Sequence, residues 1–277
     1  MNFIHALSQY GFLQSALICA ILVGIMSGLV GCFIILRGMS LMGDAISHAV
    51  LPGVAVAYML GINLLLGASI FGILAALLIG YVAAHSKVKI DTAIGVVFSA
   101  FYAGGFILIS LASSATNLHH ILFGNILAVS DSDLKTTAVV GALVILFIVA
   151  FYKELKLTSF DPTFARTYGF KVQALHYALM LVLTLVTVSA LQTVGIILVV
   201  AMLITPAATA FLWTDKLHVM LGLSSVVGVL SAIAGLWLSF TYNLASGPAI
   251  VIVAAGLFAI SFIFSPKNGL LKGALAR

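Results

Sequence analysis

Phe12-Leu-Gln-Ser-Ala-Leu-Ile-Cys-Ala-Ile-Leu-Val-Gly-Ile-Met-Ser-Gly-Leu-Val-Gly-Cys-Phe-Ile-Ile-Leu36 contains no Asp, Glu, Lys or Arg. A bilayer-spanning helix needs about 20 predominantly apolar residues, so this run supplies one span. The pattern recurs along the chain. No Asp, Glu, Lys or Arg occurs in 1–36, 45–86, 92–130, 172–214 or 217–266. The stretch 45–86 holds two spans, broken by the Gly61-Ile-Asn63 turn. The stretch 92–130 gives one span ending near Ala112, then the polar Ser113 to Asn117, then a short apolar piece, Leu118 to Val129. That piece is too short to cross and is expected as a re-entrant or surface helix. Residues 134–152 form another span, 175–213 two that part near Gln192-Thr193, and 217–264 two that part between Asn243 and Pro248. The expectation is nine spans, or eight if one of the weaker segments does not cross.

Composition excludes a soluble protein. The 277 residues are 63% hydrophobic and 7% charged, with a mean hydropathy of +1.29, where a soluble domain carries roughly 25% charged residues. The fold class expected is all-α, a polytopic membrane protein with 1–277 as a single transmembrane domain. Net charge is +5, which in a soluble protein would suggest nucleic acid. Here the basic residues stand at the ends of apolar runs, so no nucleic-acid partner is expected. Walking nine spans places eleven of the twelve Lys and Arg on one side and only Lys135 on the other. The positive-inside rule makes the first side cytoplasmic, with the N-terminus outside and the C-terminus inside. The N-terminus lacks a basic region ahead of its apolar run, so the first span is expected to act as its own insertion signal. Cys19 and Cys32 lie thirteen residues apart in one helix and cannot bond to each other; they read as packing residues.

Several activities have no residues to carry them. There is no G-x-x-x-x-G-K-[ST] phosphate loop, no H-E-x-x-H zinc helix and no G-x-S-x-G nucleophile elbow. The chain is not expected to be an enzyme. Ionisable residues within spans are nearly absent, which argues against a carboxylate proton relay and makes the few that exist informative.

Asp44 and His48 stand four residues apart in Gly43-Asp-Ala-Ile-Ser-His-Ala-Val-Leu-Pro-Gly53. At i, i+4 they share one helix face, and a carboxylate with an imidazole there is half of a site for a first-row divalent cation. Pro52 cannot donate to the His48 carbonyl, and Gly43 and Gly53 allow close approach or a broken helix. Ser40 and Ser47 lie nearby, and Met39 and Met42 flank the pair but would be soft ligands, which hard cations do not prefer. On spacing alone, Asp44 as a helix cap beside a packed His48 is an equal reading. Arg37 can snorkel to the interface, which puts Asp44 a turn or two inside and favours the site.

The segment Ile34 to Ala55, with its core Leu36-Arg-Gly-Met-Ser-Leu-Met-Gly-Asp-Ala-Ile-Ser-His-Ala-Val-Leu-Pro52, resembles the permease subunits of bacterial ATP-binding-cassette importers for manganese, zinc or iron. Leu122-Phe-Gly-Asn-Ile-Leu-Ala-Val-Ser130 and Gly195-Ile-Ile-Leu-Val-Val-Ala-Met-Leu-Ile-Thr-Pro-Ala-Ala208 are similar to the same family, in the same order. The resemblance implies a bacterial cell-membrane location and a fold shared with cobalamin and ferric-siderophore importers. It implies a pathway between two copies of the chain, a cytoplasmic ATPase dimer as motor, and an extracytoplasmic metal-binding protein as donor. By it Asp44 and His48 are the intramembrane metal ligands.

The longest hydrophilic loop, 153–174, contains Phe160-Asp-Pro-Thr-Phe-Ala-Arg-Thr-Tyr-Gly-Phe170. Asp161 suits an N-cap, Pro162 the first helical position and Gly169 the left-handed residue after the helix. Phe164 and Tyr168 share a face, with Arg166 elsewhere. So short a helix must pack on something: either the membrane interface or, as the resemblance favours, a groove of the ATPase, with Asp161, Phe164, Arg166, Tyr168 and Gly169 as the coupling residues. His119, His120, Asp131 and Asp133 read as solvated groups at the boundary of the short piece rather than a metal entry. His85, His176 and His218 read as interfacial, and Thr205-Pro206 as a kink.

One carboxylate and one imidazole without thiolate suit manganese or ferrous iron, whereas zinc recruits more His or Cys. The Irving–Williams order runs the other way, binding zinc more tightly than manganese in a fixed ligand set. The stretch Gly38 to Pro52 resembles manganese members more than zinc members. Manganese is the expected cargo, zinc or iron the alternative. A stand-alone channel or secondary carrier is the second reading and an intramembrane enzyme the third.

Overall fold

The computed structural model describes residues 3–111, 126–265 and 267. The described residues are helical throughout, joined by short turns. In chain order the helices are α1 Phe3–Gln9, α2 Gly11–Leu36, α3 Met42–Ala49, α4 Leu51–Leu60, α5 Leu64–His85, α6 Ile90–Leu111, α7 Asp131–Ala150, α8 Tyr152–Phe160, α9 Pro162–Thr167, α10 Val172–Val194, α11 Ile196–Trp213, α12 Leu217–Tyr242 and α13 Ser246–Phe264. Taking α3 with α4 as one broken span, nine segments among the described residues are long and apolar enough to cross a bilayer. This is the higher of the two expected counts.

The spans are not equivalent. The most apolar window of α2 is 67% buried, whereas those of α6, α7 and α13 are 22% buried, so the first is a central post and the others form the rim. α2 packs along α12, α11, α7 and α10. Its side chains at the α12 crossing are small: a Cβ on Gly24 would lie 2.9 Å from the carbonyl carbon of Gly228. In a bilayer, where lipid is as apolar as leucine, such close backbone contact is a main source of helix association.

One boundary differs from expectation. The break expected near Gln192-Thr193 falls at Gly195, with φ 81° and ψ 167°, a conformation open essentially to glycine alone. The Thr193 hydroxyl instead donates to the Ala190 carbonyl within the helix, 3.0 Å away, so its polarity is absorbed without ending α10. Pro206 lies buried inside α11, which continues to Trp213. The expected short piece Leu118–Val129, with His119 and His120, falls largely outside the described residues; Ile126–Ala128 is a single 3₁₀ turn. Asp133 forms a capping box with Ser130 at the start of α7, which accounts for its position.

Candidate metal site in the broken second span

The second span breaks at Val50, which ends α3 and begins α4. The cause is local: Pro52 offers no N–H to the preceding turn. Helical bonds close on either side, Val50 to Ile46 at 3.2 Å and Val54 to Val50 at 3.0 Å. α3 buries Met42, Ala45, Ile46 and Ala49 in the core and packs against α5, α6, α10 and α11. Its remaining face carries Asp44 and His48. The Asp44 Oδ1 and His48 Nε2 atoms are 3.6 Å apart, with side chains 45% and 27% exposed. That separation is too long for a hydrogen bond. It is close to the roughly 3.0–3.5 Å that separates two ligands bound at about 2.1–2.2 Å to one cation.

His48 is framed by aromatic rings from α6. Its ring meets Tyr102 edge-on at 5.3 Å and Phe98 at 5.6 Å, and those two rings stack at 5.7 Å. Gly105 permits this arrangement. A Cβ there would lie 2.7 Å from the Leu51 Cβ and 3.0 Å from the Pro52 Cδ, so α6 rests directly on the break. One and two turns back on the same face come Tyr102 and Phe98. Sequence reading missed both aromatics, because only tertiary packing brings α6 beside α3.

Other candidates fall away from the pair. Ser47 is buried, and its hydroxyl donates to the Gly43 carbonyl at 2.8 Å. Met42, at the start of α3, and Met39, ahead of that helix, are both buried in the core. His85 stacks on Tyr81 with centroids 4.3 Å apart, and His218 is exposed at the start of α12. Among the described residues no group of three or more His, Cys, Asp or Glu forms.

The loop helix α9 is closed at both ends by its own sequence. The Phe164 N–H donates to Asp161 Oδ1 at 2.8 Å, and Pro162 opens the helix. Gly169, at φ +83°, lets the Phe170 N–H reach the Ala165 carbonyl at 3.1 Å and its own N–H reach Arg166 at 3.0 Å, a Schellman closure. The Phe164 and Tyr168 rings lie 4.7 Å apart, 46% and 69% exposed.

Residues 9–265 match the family described as "ABC 3 transport family". The chain belongs to that family. It is thus a multi-pass membrane permease of the ATP-binding-cassette class. This ABC 3 chain is 63% identical over 271 residues to the "Manganese transport system membrane protein MntC" of Listeria innocua, covering 98% of this chain and 97% of that protein. It superimposes with a TM-score of 0.88 and 54% identity on a chain of "PsaBC from Streptococcus pneumoniae in complex with Fab", covering 98% of each. A metal-chelate type ABC transporter in an inward-facing conformation shares the fold, with a TM-score of 0.72 at 17% identity over 90% of this chain and 84% of that one.

Arg37, the residue after α2, departs from the expected snorkelling. Its guanidinium donates to Thr158 Oγ1 at 2.8 Å, Ser159 Oγ at 3.1 Å and His176 Nδ1 at 3.5 Å. Burial lowers its pKa to about 10, which still leaves it charged at neutral pH. His176, expected to be merely interfacial, is therefore part of a polar joint between α2, α8 and α10 in this ABC 3 permease.

Proposed function

We propose that this chain, as one transmembrane unit over 1–277, is the permease of an importer that moves manganese into the cytoplasm. Asp44 and His48 are its intramembrane ligands. One observation carries the site: a carboxylate and an imidazole, 3.6 Å apart, stand partly exposed on a span that is otherwise apolar. A carboxylate at the centre of a span costs about 2.5–3.5 kcal/mol on insertion scales, and less toward its ends. A face carrying Asp44 is unsuited to lipid and suited to another polar surface. A second copy of the chain supplies that surface and brings its own acid and imidazole, making up to four protein ligands. This set still lacks thiolate, consistent with manganese. The name of the Listeria relative supports the same cargo. Zinc or iron is the runner-up, since the ligand set alone does not exclude a metal higher in the Irving–Williams order.

Energy comes from a separate cytoplasmic ATPase dimer that receives α9. Asp161 and Gly169 shape that helix, Phe164 and Tyr168 form its apolar face, and Arg166 lies beside them. An extracytoplasmic metal-binding protein delivers the ion at the opposite side. The orientation follows from the basic residues: the ends of α2, α5, α7 and α11 carry them on one side, with Lys135 alone on the other, so the N-terminus is outside and the C-terminus inside.

The test has two parts. Deleting the permease is expected to lower cellular manganese with zinc unchanged; a fall in zinc alone identifies the runner-up cargo. Proteoliposomes holding this chain without the ATPase are expected to take up no metal. Uptake from the chain alone would replace the importer reading with a channel or carrier.

A further inference from the structure

Behind the loop arm lies a cleft of about 720 Å³, walled by the ends of α2 and α5, the starts of α6 and α10, and by α8 and α9. Arg37, Arg166, His85 and His176 line it, and among the described residues no Asp or Glu does. Lys87 and Lys89 occupy the short connection between two of its wall residues, His85 and Ile90. The partners of Arg37 are all neutral. An arginine N–H can only donate, so His176 accepts through an unprotonated Nδ1, and Thr158 and Ser159 offer hydroxyl oxygens. Among the described residues no carboxylate stands within ion-pair distance of Arg37. Three of the five guanidinium N–H donors are engaged, and the charge itself is uncompensated in a half-buried position, where an unpaired cation is costly.

We infer that this cleft binds a phosphate-bearing anion, with Arg37 as its half-buried anchor and Arg166 as a second contact from the arm. A guanidinium fork matches the oxygens of a phosphate and supplies the two donors that remain. The cleft is far larger than an inorganic phosphate, and it opens at the end of the bundle where the basic residues gather. Both features favour the headgroup of an anionic phospholipid, since basic pockets between span ends are suited to such headgroups. An occupant would tie the arm, through Thr158, Ser159 and Arg166, to the segment that runs from Arg37 into α3. The inference does not depend on which metal is carried.

The test uses the permease with its ATPase, reconstituted either in phosphatidylcholine nanodiscs or in nanodiscs of equal parts phosphatidylcholine and phosphatidylglycerol. Native mass spectrometry is expected to find phosphatidylglycerol retained by the wild type. Arg37→Gln is expected to weaken retention about ten- to hundredfold, the range for removing a charged hydrogen-bond donor. Arg37→Lys, which keeps the charge and loses the fork, should fall between. If Arg37→Gln does not fold, the exposed Arg166→Gln gives the same reading with a smaller loss, and Lys135→Gln serves as the control. Saturable binding of inorganic phosphate in pure phosphatidylcholine, lost in Arg37→Gln, would assign the site to a free anion instead of a lipid. Absence of both kinds of binding, or binding equal to wild type in Arg37→Gln and Arg166→Gln, overturns the site.

Discussion

Two short helices, Met42–Ala49 and Pro162–Thr167, are held by opposite means. The first has no side-chain cap at its start and buries six of its eight residues. The second has an Asp161 cap, a Schellman closure at Gly169 and only Ala165 buried. α3 is therefore placed by its neighbours, and its orientation is a tertiary property. α9 carries its shape in its own sequence and presents Phe164 and Tyr168 on its surface. On the proposed function, α3 has to hold two polar side chains at a set separation inside an apolar bundle, which only packing can do. On the same proposal, α9 has to survive on the outside of the bundle with little packing, which local caps can do.

The sharpest way to break this contrast is at the site. Asp44→Ala or His48→Ala is expected to abolish metal uptake, measured with radioactive manganese, while the protein reaches the membrane at normal levels. Unchanged uptake in both would remove the pair from the pathway. At the arm, Phe164→Ala with Tyr168→Ala is expected to release or uncouple the ATPase, seen as loss of copurification or of metal-stimulated hydrolysis. Metal binding by the permease should persist there, because α3 does not depend on α9. Normal assembly and transport in the double variant would return α9 to the membrane surface.

Smaller effects sharpen the same comparison. Gly105→Val is expected to push α6 off the break and loosen the Phe98–Tyr102 frame around His48, an overpacking cost of about 1–3 kcal/mol. Uptake should fall several-fold with expression nearly normal; wild-type uptake would show that the frame does not position the imidazole. Asp161→Ala is expected to cost about 1 kcal/mol locally. It should speed hydrogen exchange at the Phe164 amide and reduce transport only mildly, with Asp161→Asn close to wild type. Unchanged exchange in Asp161→Ala would mean that α9 is held by packing after all, like α3.

The arm was readable almost residue by residue, because Asp161, Pro162 and Gly169 act on neighbours within a few positions. The site was half readable. An acid and an imidazole four apart in an otherwise uncharged span stand out, and Pro52 announces the break. Phe98 and Tyr102 did not, since they lie 50 and 54 positions beyond His48 and look like any other aromatic in a lipid-facing run. Met39 and Met42 adjoin Asp44 in the chain yet are buried in the core, since sequence proximity says nothing about which face turns inward.

What the sequence determined by itself is what transfer free energy and local geometry govern: the spans, the basic asymmetry, the caps of α9 and the i, i+4 spacing of Asp44 and His48. Apart from the asymmetry, which needs the spans counted along the chain, each depends on a window no longer than one helix. What only the tertiary structure decided is which spans stand at the centre, which face of α3 is left open, and where Arg37 finds its partners, 121 to 139 residues away. In lipid, apolarity drives helices into the membrane and then ceases to sort them from one another. Their arrangement rests on close contacts between small residues and on a few polar joints, and such contacts leave no periodic trace in the chain.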